Sequence, residues 1–151
     1  MTRISKAARG LSLVLVVAAL TACTTVKLIN PPTVQGAATS ELTRTAILRA
    51  AMREEFFIDQ DLPGRVRARY QDPDWFMSVE IEYGDTVTIR YFDSRAIDYQ
   101  LRDGVPYIHR GYNYRAQELL DAIQKELELM AAIPADAKMP AIGTPQPTPA
   151  H

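Results

Sequence analysis

Apolar positions follow three rhythms along the chain. Residues 11–20 are an unbroken apolar run apart from Ser12. From residue 40 onward, Leu42, Ala46, Ile47, Ala50 and Ala51 recur at helical spacing, which predicts a helix capped by Thr39 or Ser40 and running to about Glu55. Three alternating stretches come next. Val66, Ala68 and Tyr70 alternate with Arg65, Arg67 and Arg69. Trp75, Met77, Val79, Ile81 and Tyr83 alternate with Phe76, Ser78, Glu80 and Glu82, and Val87, Ile89 and Tyr91 with Thr86, Thr88, Arg90 and Phe92. Alternation with a period of two buries one face of a strand and wets the other, as antiparallel sheets allow. Asp72-Pro73-Asp74 and Gly84-Asp85-Thr86 predict hairpins between these strands, and Leu62-Pro63-Gly64 an earlier turn preceded by a short strand from Phe56-Phe57-Ile58. Ile97, Tyr99 and Leu101 suggest one more short strand. The last helix is expected to begin near Asn113, with Ala116, Leu119, Leu120, Ile123, Leu127 and Met130 on one stripe. The helix–strands–helix order predicts an α+β fold, an antiparallel sheet of three to five short strands with two helices packed on one face.

Outside this unit the periodicity lapses. Residues 23–38 include Pro31, Pro32 and Gly36 and read as a flexible linker. Residues 132–151 hold Pro134, Pro140, Pro145, Pro147 and Pro149 and read as a disordered tail. The expected division is a leader over 1–22, a linker over 23–38, a globular α+β domain over 39–131 and the tail.

The leader changes the reading of charge. Met1–Gly10 carries Arg3, Lys6 and Arg9 and no acid, ahead of the apolar run, which is the layout of a secretory signal. The run is about half the ~20 residues a spanning helix needs. Removing those three residues from 17 basic side chains leaves 14 against 18 acidic ones, a net charge of −4. That balance argues against nucleic acid as a partner. One cysteine and two histidines, His109 and His151, exclude an internal disulfide and make a metal site unexpected. No cofactor motif is present.

Leu20-Thr21-Ala22-Cys23 closes the apolar run. It resembles the lipobox of bacterial lipoproteins. The resemblance implies diacylglycerol on Cys23, cleavage before it and acylation of the new amino terminus. Each buried methylene contributes roughly 0.8 kcal/mol and one chain alone binds marginally, so two or three chains hold a protein in place. Thr24 follows the cysteine, where aspartate favours retention at the inner membrane. The analogy implies the periplasmic face of the outer membrane.

A wider pattern joins Ala46-Ile47-Leu48, Leu62-Pro63-Gly64, Val79-Glu80-Ile81 with Tyr83, Ile89-Arg90-Tyr91 with Asp93-Ser94, and Ile108-His109-Arg110 with Tyr112-Asn113. It is similar to a group of small bacterial lipoproteins, over Ala46 to about Ile123. The resemblance implies the anchor and the fold and brings no reaction with it. Arg115 stands where that pattern has tryptophan, and Glu55 where it has glycine.

Candidate chemistry is sparse. Arg65, Arg67 and Arg69 on a wet face suit either an anionic envelope ligand or ion pairs, with Arg65 and Arg90 expected across from Glu80. Asp59, Asp61 and Gly64 mimic the start of a calcium loop, but Pro63 and Tyr70 occupy ligand positions they cannot fill. Asp93, His109, Tyr112 and Asn113 form the most unusual cluster. Its structural reading has His109 bonding a carbonyl or Asp93 and Asn113 capping the last helix; its functional reading is a recognition patch for an envelope protein. The leading expectation is a non-enzymatic, lipid-anchored binding or envelope-structural module. The alternative is a hydrolase around His109, drawing on Ser94 with Asp93 or Asp98.

Overall fold

Residues 25–132 are described by the structure, a computed structural model. The leader, Cys23 and the tail from residue 133 onward lie outside the described residues. In chain order the elements are β1 (Thr25–Lys27), β2 (Val34–Gln35), α1 (Ser40–Arg53), β3 (Phe56–Leu62), β4 (Arg65–Gln71), β5 (Phe76–Tyr83), β6 (Thr86–Arg95), β7 (Gln100–Arg102), β8 (Val105–His109) and α2 (Arg110–Ala131). A five-stranded sheet runs β2-β6-β5-β4-β3 and a three-stranded sheet β1-β8-β7, with every pairing antiparallel. The fold is α+β in helix–strands–helix order. The second sheet is an addition to what periodicity predicted.

The core forms where the two rhythms meet. Val66, Ala68, Met77, Val79, Ile81, Val87 and Ile89 from the sheet pack with Ile47, Ala50, Leu119, Leu120 and Ile123 from the helices. Thr39 caps α1, accepting from the Leu42 amide at 3.3 Å. Leu42, counted on the buried stripe by spacing, is 43% exposed. Thr43 takes the inward position instead: its hydroxyl accepts from the Ala37 amide at 2.8 Å and donates to the Thr39 carbonyl at 3.1 Å. Glu126 of α2 pairs with Arg53 of α1 and lies 4.0 Å from Arg49, tying the helices at their outer edge.

The segment expected to be a linker is folded from Thr25 onward. β1 pairs with β8 in the register Thr25–His109, and β2 pairs with β6. Asn30 accepts from the Tyr91 amide at 3.1 Å, the Thr33 and Thr88 hydroxyls meet at 3.1 Å, and Pro31 is buried. Gly36 donates its amide to the Asp85 carbonyl at 2.8 Å, and a Cβ there would collide with the Gly84 carbonyl. Side-chain amides, hydroxyls and close backbone contact hold this stretch, none of which produces an apolar rhythm.

The hairpins fall where the turn residues put them, with one change of register. The β4–β5 turn takes in Asp72, Pro73, Asp74 and Trp75, and the Asp72 amide donates to the Trp75 carbonyl at 2.9 Å. Trp75 therefore belongs to the turn. Glu80 faces Arg67 and Arg90, and Arg65 faces Glu82. A slip of two residues keeps every side chain on its expected face. The expected strand at Ile97 starts only at Gln100, because Ala96 and Asp98 flank buried Ile97 with φ of 59° and 55°. Asp103-Gly104, both at positive φ, then make a two-residue hairpin into β8.

Candidate functional site

The cluster of Asp93, His109, Tyr112 and Asn113 divides into separate parts. α2 starts at Arg110, three residues before the expected Asn113, because His109 provides the cap. Its Nδ1 accepts from the Gly111 amide at 3.2 Å, while its own amide donates to the Ile97 carbonyl at 2.9 Å. Asn113 is therefore not a cap. From the first turn of α2 it reaches β1, where Nδ2 donates to the Lys27 carbonyl at 2.9 Å and Oδ1 accepts from the Ile29 amide at 3.0 Å. The β1–β8 ladder itself continues through the Leu28 amide to the Pro106 carbonyl at 2.9 Å, so the Asn113 amide pairs with the other edge of this segment. Tyr112 is buried, with its ring 5.5 Å from that of Tyr91. Burial raises the Tyr112 hydroxyl well above the ordinary tyrosine value and, more weakly, that of Tyr91. Asp93 accepts from the adjacent Ser94 amide at 2.7 Å, and the Ser94 hydroxyl meets that of Tyr91 at 3.0 Å. Among the described residues no hydrogen bond joins His109 to Asp93, Asp98 or Ser94.

The arginines on the wet face of β4 are engaged with carboxylates. Arg67 bonds Glu80 at 3.2 Å and stacks 3.5 Å from the centre of the Phe92 ring. Arg65 lies 3.8 Å from the same Glu80 oxygen. Arg69 bonds Asp59 at 3.0 Å, and Arg90 bonds Glu82 at 3.4 Å. Asp61 pairs with Arg44, whose guanidinium holds its carboxyl below the usual carboxylate range. Asp59 and Asp61 lie on β3 ahead of the Pro63-Gly64 turn, each facing an arginine.

Two concave surfaces lie at the end of the molecule where β1 begins. One is a cleft of about 650 Å³ lined by Trp75, Ile97, His109, Tyr114, Arg115 and Glu118 among others. The other is an open, mainly apolar groove of about 790 Å³ between the end of α1 and β3, lined by Leu48, Met52, Phe56, Phe57, Ile58 and Tyr70 among others. Tyr70 joins them. Its ring lies 5.6 Å from Phe56 and 5.3 Å from Trp75, and its hydroxyl accepts from Arg115 at 2.8 Å. Arg115 stacks 4.3 Å from the centre of the Tyr70 ring. Met52 is 79% and Phe57 61% exposed.

Trp75, Tyr114 and the groove were missed as candidates in the sequence. A signal existed: Phe56-Phe57-Ile58 puts consecutive apolar residues on a strand that can bury only alternate ones, and Tyr114 lies off the buried stripe of its helix. No helix among the described residues is long and apolar enough to cross a membrane, and no cluster of metal-ligating side chains occurs among them. Comparison with known protein families and with curated proteins found no match to this chain.

Proposed function

We propose that this protein is a lipoprotein of the bacterial envelope, held through lipid on Cys23 at the periplasmic face of the outer membrane, and that it works there by binding. The observation that carries the anchor is the leader itself, where Leu20-Thr21-Ala22-Cys23 closes an apolar run behind Arg3, Lys6 and Arg9. Cleavage before Cys23 also leaves every described element, from β1 through α2, on the mature side.

Binding is favoured by the groove beside β3. Among the described residues this strand ends the order of the five-stranded sheet, paired to β4 on one side only; it carries exposed Phe57 and Ile58, and exposed Met52 lies beside it. A free strand edge beside an apolar groove suits an extended, apolar segment of another envelope protein, whose backbone pairs with β3 while alternate side chains enter the groove. The cleft at His109 is the one feature that favours a hydrolase. Against it, the His109 nitrogen Nδ1 is engaged with the helix cap and the Ser94 hydroxyl with Tyr91.

Cys23→Ser tests the anchor. The parent is expected in the membrane fraction with a mass gain for lipid on its amino terminus, and the variant in the soluble periplasmic fraction. A serine variant that still pellets with membranes contradicts the proposal. Photo-crosslinking from position 57 in intact cells, compared with position 85 at the opposite end, tests the binding surface; equal yields from both contradict the groove as the contact.

A further inference from the structure

We infer that the end of the domain bearing Thr25, Trp75 and Tyr114 lies directly on the phospholipid bilayer, so that the lipidated protein is held in one orientation instead of swinging on a tether. This rests on lipid attachment at Cys23 as proposed above. Thr24 alone separates Cys23 from β1, and two residue steps reach at most about 7 Å. Thr25 is itself fixed by its pairing with His109, and the strand is fastened further along by the Asn113 amide. The acyl chains therefore enter the bilayer close beside the His109 cleft.

The side chains at that end suit the contact. Trp75 is half-buried in the cleft wall and Tyr114 is 66% exposed on the first turns of α2. Amphipathic rings of this kind favour the headgroup level of a membrane. Arg95 at the end of β6 and Arg110 at the start of α2 are exposed and form no ion pair among the described residues; their stems can lie along lipid while the guanidinium groups reach phosphate. Asp72 and Asp74 flank the same turn as Trp75, and Glu118 and Arg115 neutralise each other at 3.2 Å. Charges of both signs nearly balance, so the contact depends on ring and apolar insertion more than on attraction to anionic lipid. The opposite end, with Pro63-Gly64, Gly84 and Asp85, offers turns and polar groups, and the arginines of the outer sheet face are engaged with Glu80, Glu82 and Asp59.

Trp75 is the only tryptophan, so its fluorescence reports on this surface alone. The test uses the mature lipidated protein in vesicles of phosphatidylethanolamine and phosphatidylglycerol, with and without bromine on the acyl chains. Trp75 emission is expected to be quenched by the brominated lipid, with little change at high salt. Tyr114→Asp, and a flexible Gly/Ser insertion between Thr24 and Thr25, should each lose most of that quenching while the protein still floats with the vesicles. Flotation without quenching, or equal quenching in the parent and both variants, overturns the inference and leaves the anchor standing. A protein that carries no lipid by mass and does not float overturns the anchor reading itself, and the inference with it.

Discussion

At the end farthest from Thr25 the strands are joined by glycine-bearing turns; at the end that carries Thr25, side-chain contacts between elements add to the turn. The far end turns on Pro63-Gly64, with Gly64 at φ 78°, and on Gly84, whose amide donates to the Thr86 carbonyl at 3.0 Å. Gly36 packs against that second turn with no room for a side chain. The near end is built from side-chain contacts, several of them between residues remote in sequence: Asn113 with Lys27 and Ile29, and Arg115 with Tyr70, whose ring also meets Phe56 and the nearby Trp75. The glycine-lined turns border an open, mainly polar concavity of about 730 Å³. Aromatic rings gathered from four elements leave a cleft, a groove and exposed apolar area. The end that requires the most tertiary information is also the end suited to contact with something else.

Substitutions can break this contrast. The largest effect is expected for Gly36→Ala at the far end, where a methyl group meets the Gly84 carbonyl and backbone must shift. Overpacking of this kind costs about 1–3 kcal/mol, and at about 4–8 °C per kcal/mol the thermal midpoint should fall visibly. An unchanged midpoint would mean that residues 34–37 do not pack on the β5–β6 turn. Asn113→Ala at the near end should cost about 1–2 kcal/mol for two lost backbone bonds. It should also speed hydrogen exchange at Ile29 well before the five-stranded sheet is affected. If exchange at Ile29 does not change, the amide does not hold β1.

His109→Ala should cost about 1 kcal/mol, the range for a lost helix cap, and fray the first turn of α2. Chemical denaturation beside the parent measures it, and a variant of parental stability would return His109 to the list of residues kept for binding. The smallest effect is a gain. Glu55 follows α1 at φ 62°, the left-handed position that ends many helices and favours glycine. Glu55→Gly should stabilise by about 0.5–1 kcal/mol, since the unfavourable geometry is worth ~1–2 kcal/mol and the freer unfolded chain takes part of it back. A loss of stability would show that the glutamate side chain makes a contact worth more than the strain.

Much of the fold was legible because it repeats. α1, β4, β5, β6 and α2 each bury a face over many residues, and the turns between them carry proline, glycine or aspartate in positions that only such turns favour. The register of β4 against β5 escaped by two residues because Pro73 allows a longer turn that takes in Trp75. β1, β2 and β8 escaped because strands of three, two and five residues have too few positions to show a period, and Pro31 and Pro32 imitated a linker. The roles of His109 and Asn113 were exchanged. The helix starts at Arg110, which puts His109 at the cap position and Asn113 inside the first turn.

Alternation and helical spacing by themselves determined that this chain folds as α+β, which faces are buried, and that Arg65, Arg67 and Arg69 share a wet face. Local steric rules and the sorting of apolar from polar side chains suffice for that, because they act within a few residues. Only the tertiary structure decided that Thr25 lies beside His109, that one asparagine stitches β1 to α2, and that Tyr70 links Phe56 to Trp75 at the same end. The Asn113 bond to Lys27 spans 86 residues, and the Arg115 bond that holds Tyr70 spans 45. They depend on where whole elements come to rest, and no spacing within a single element encodes that.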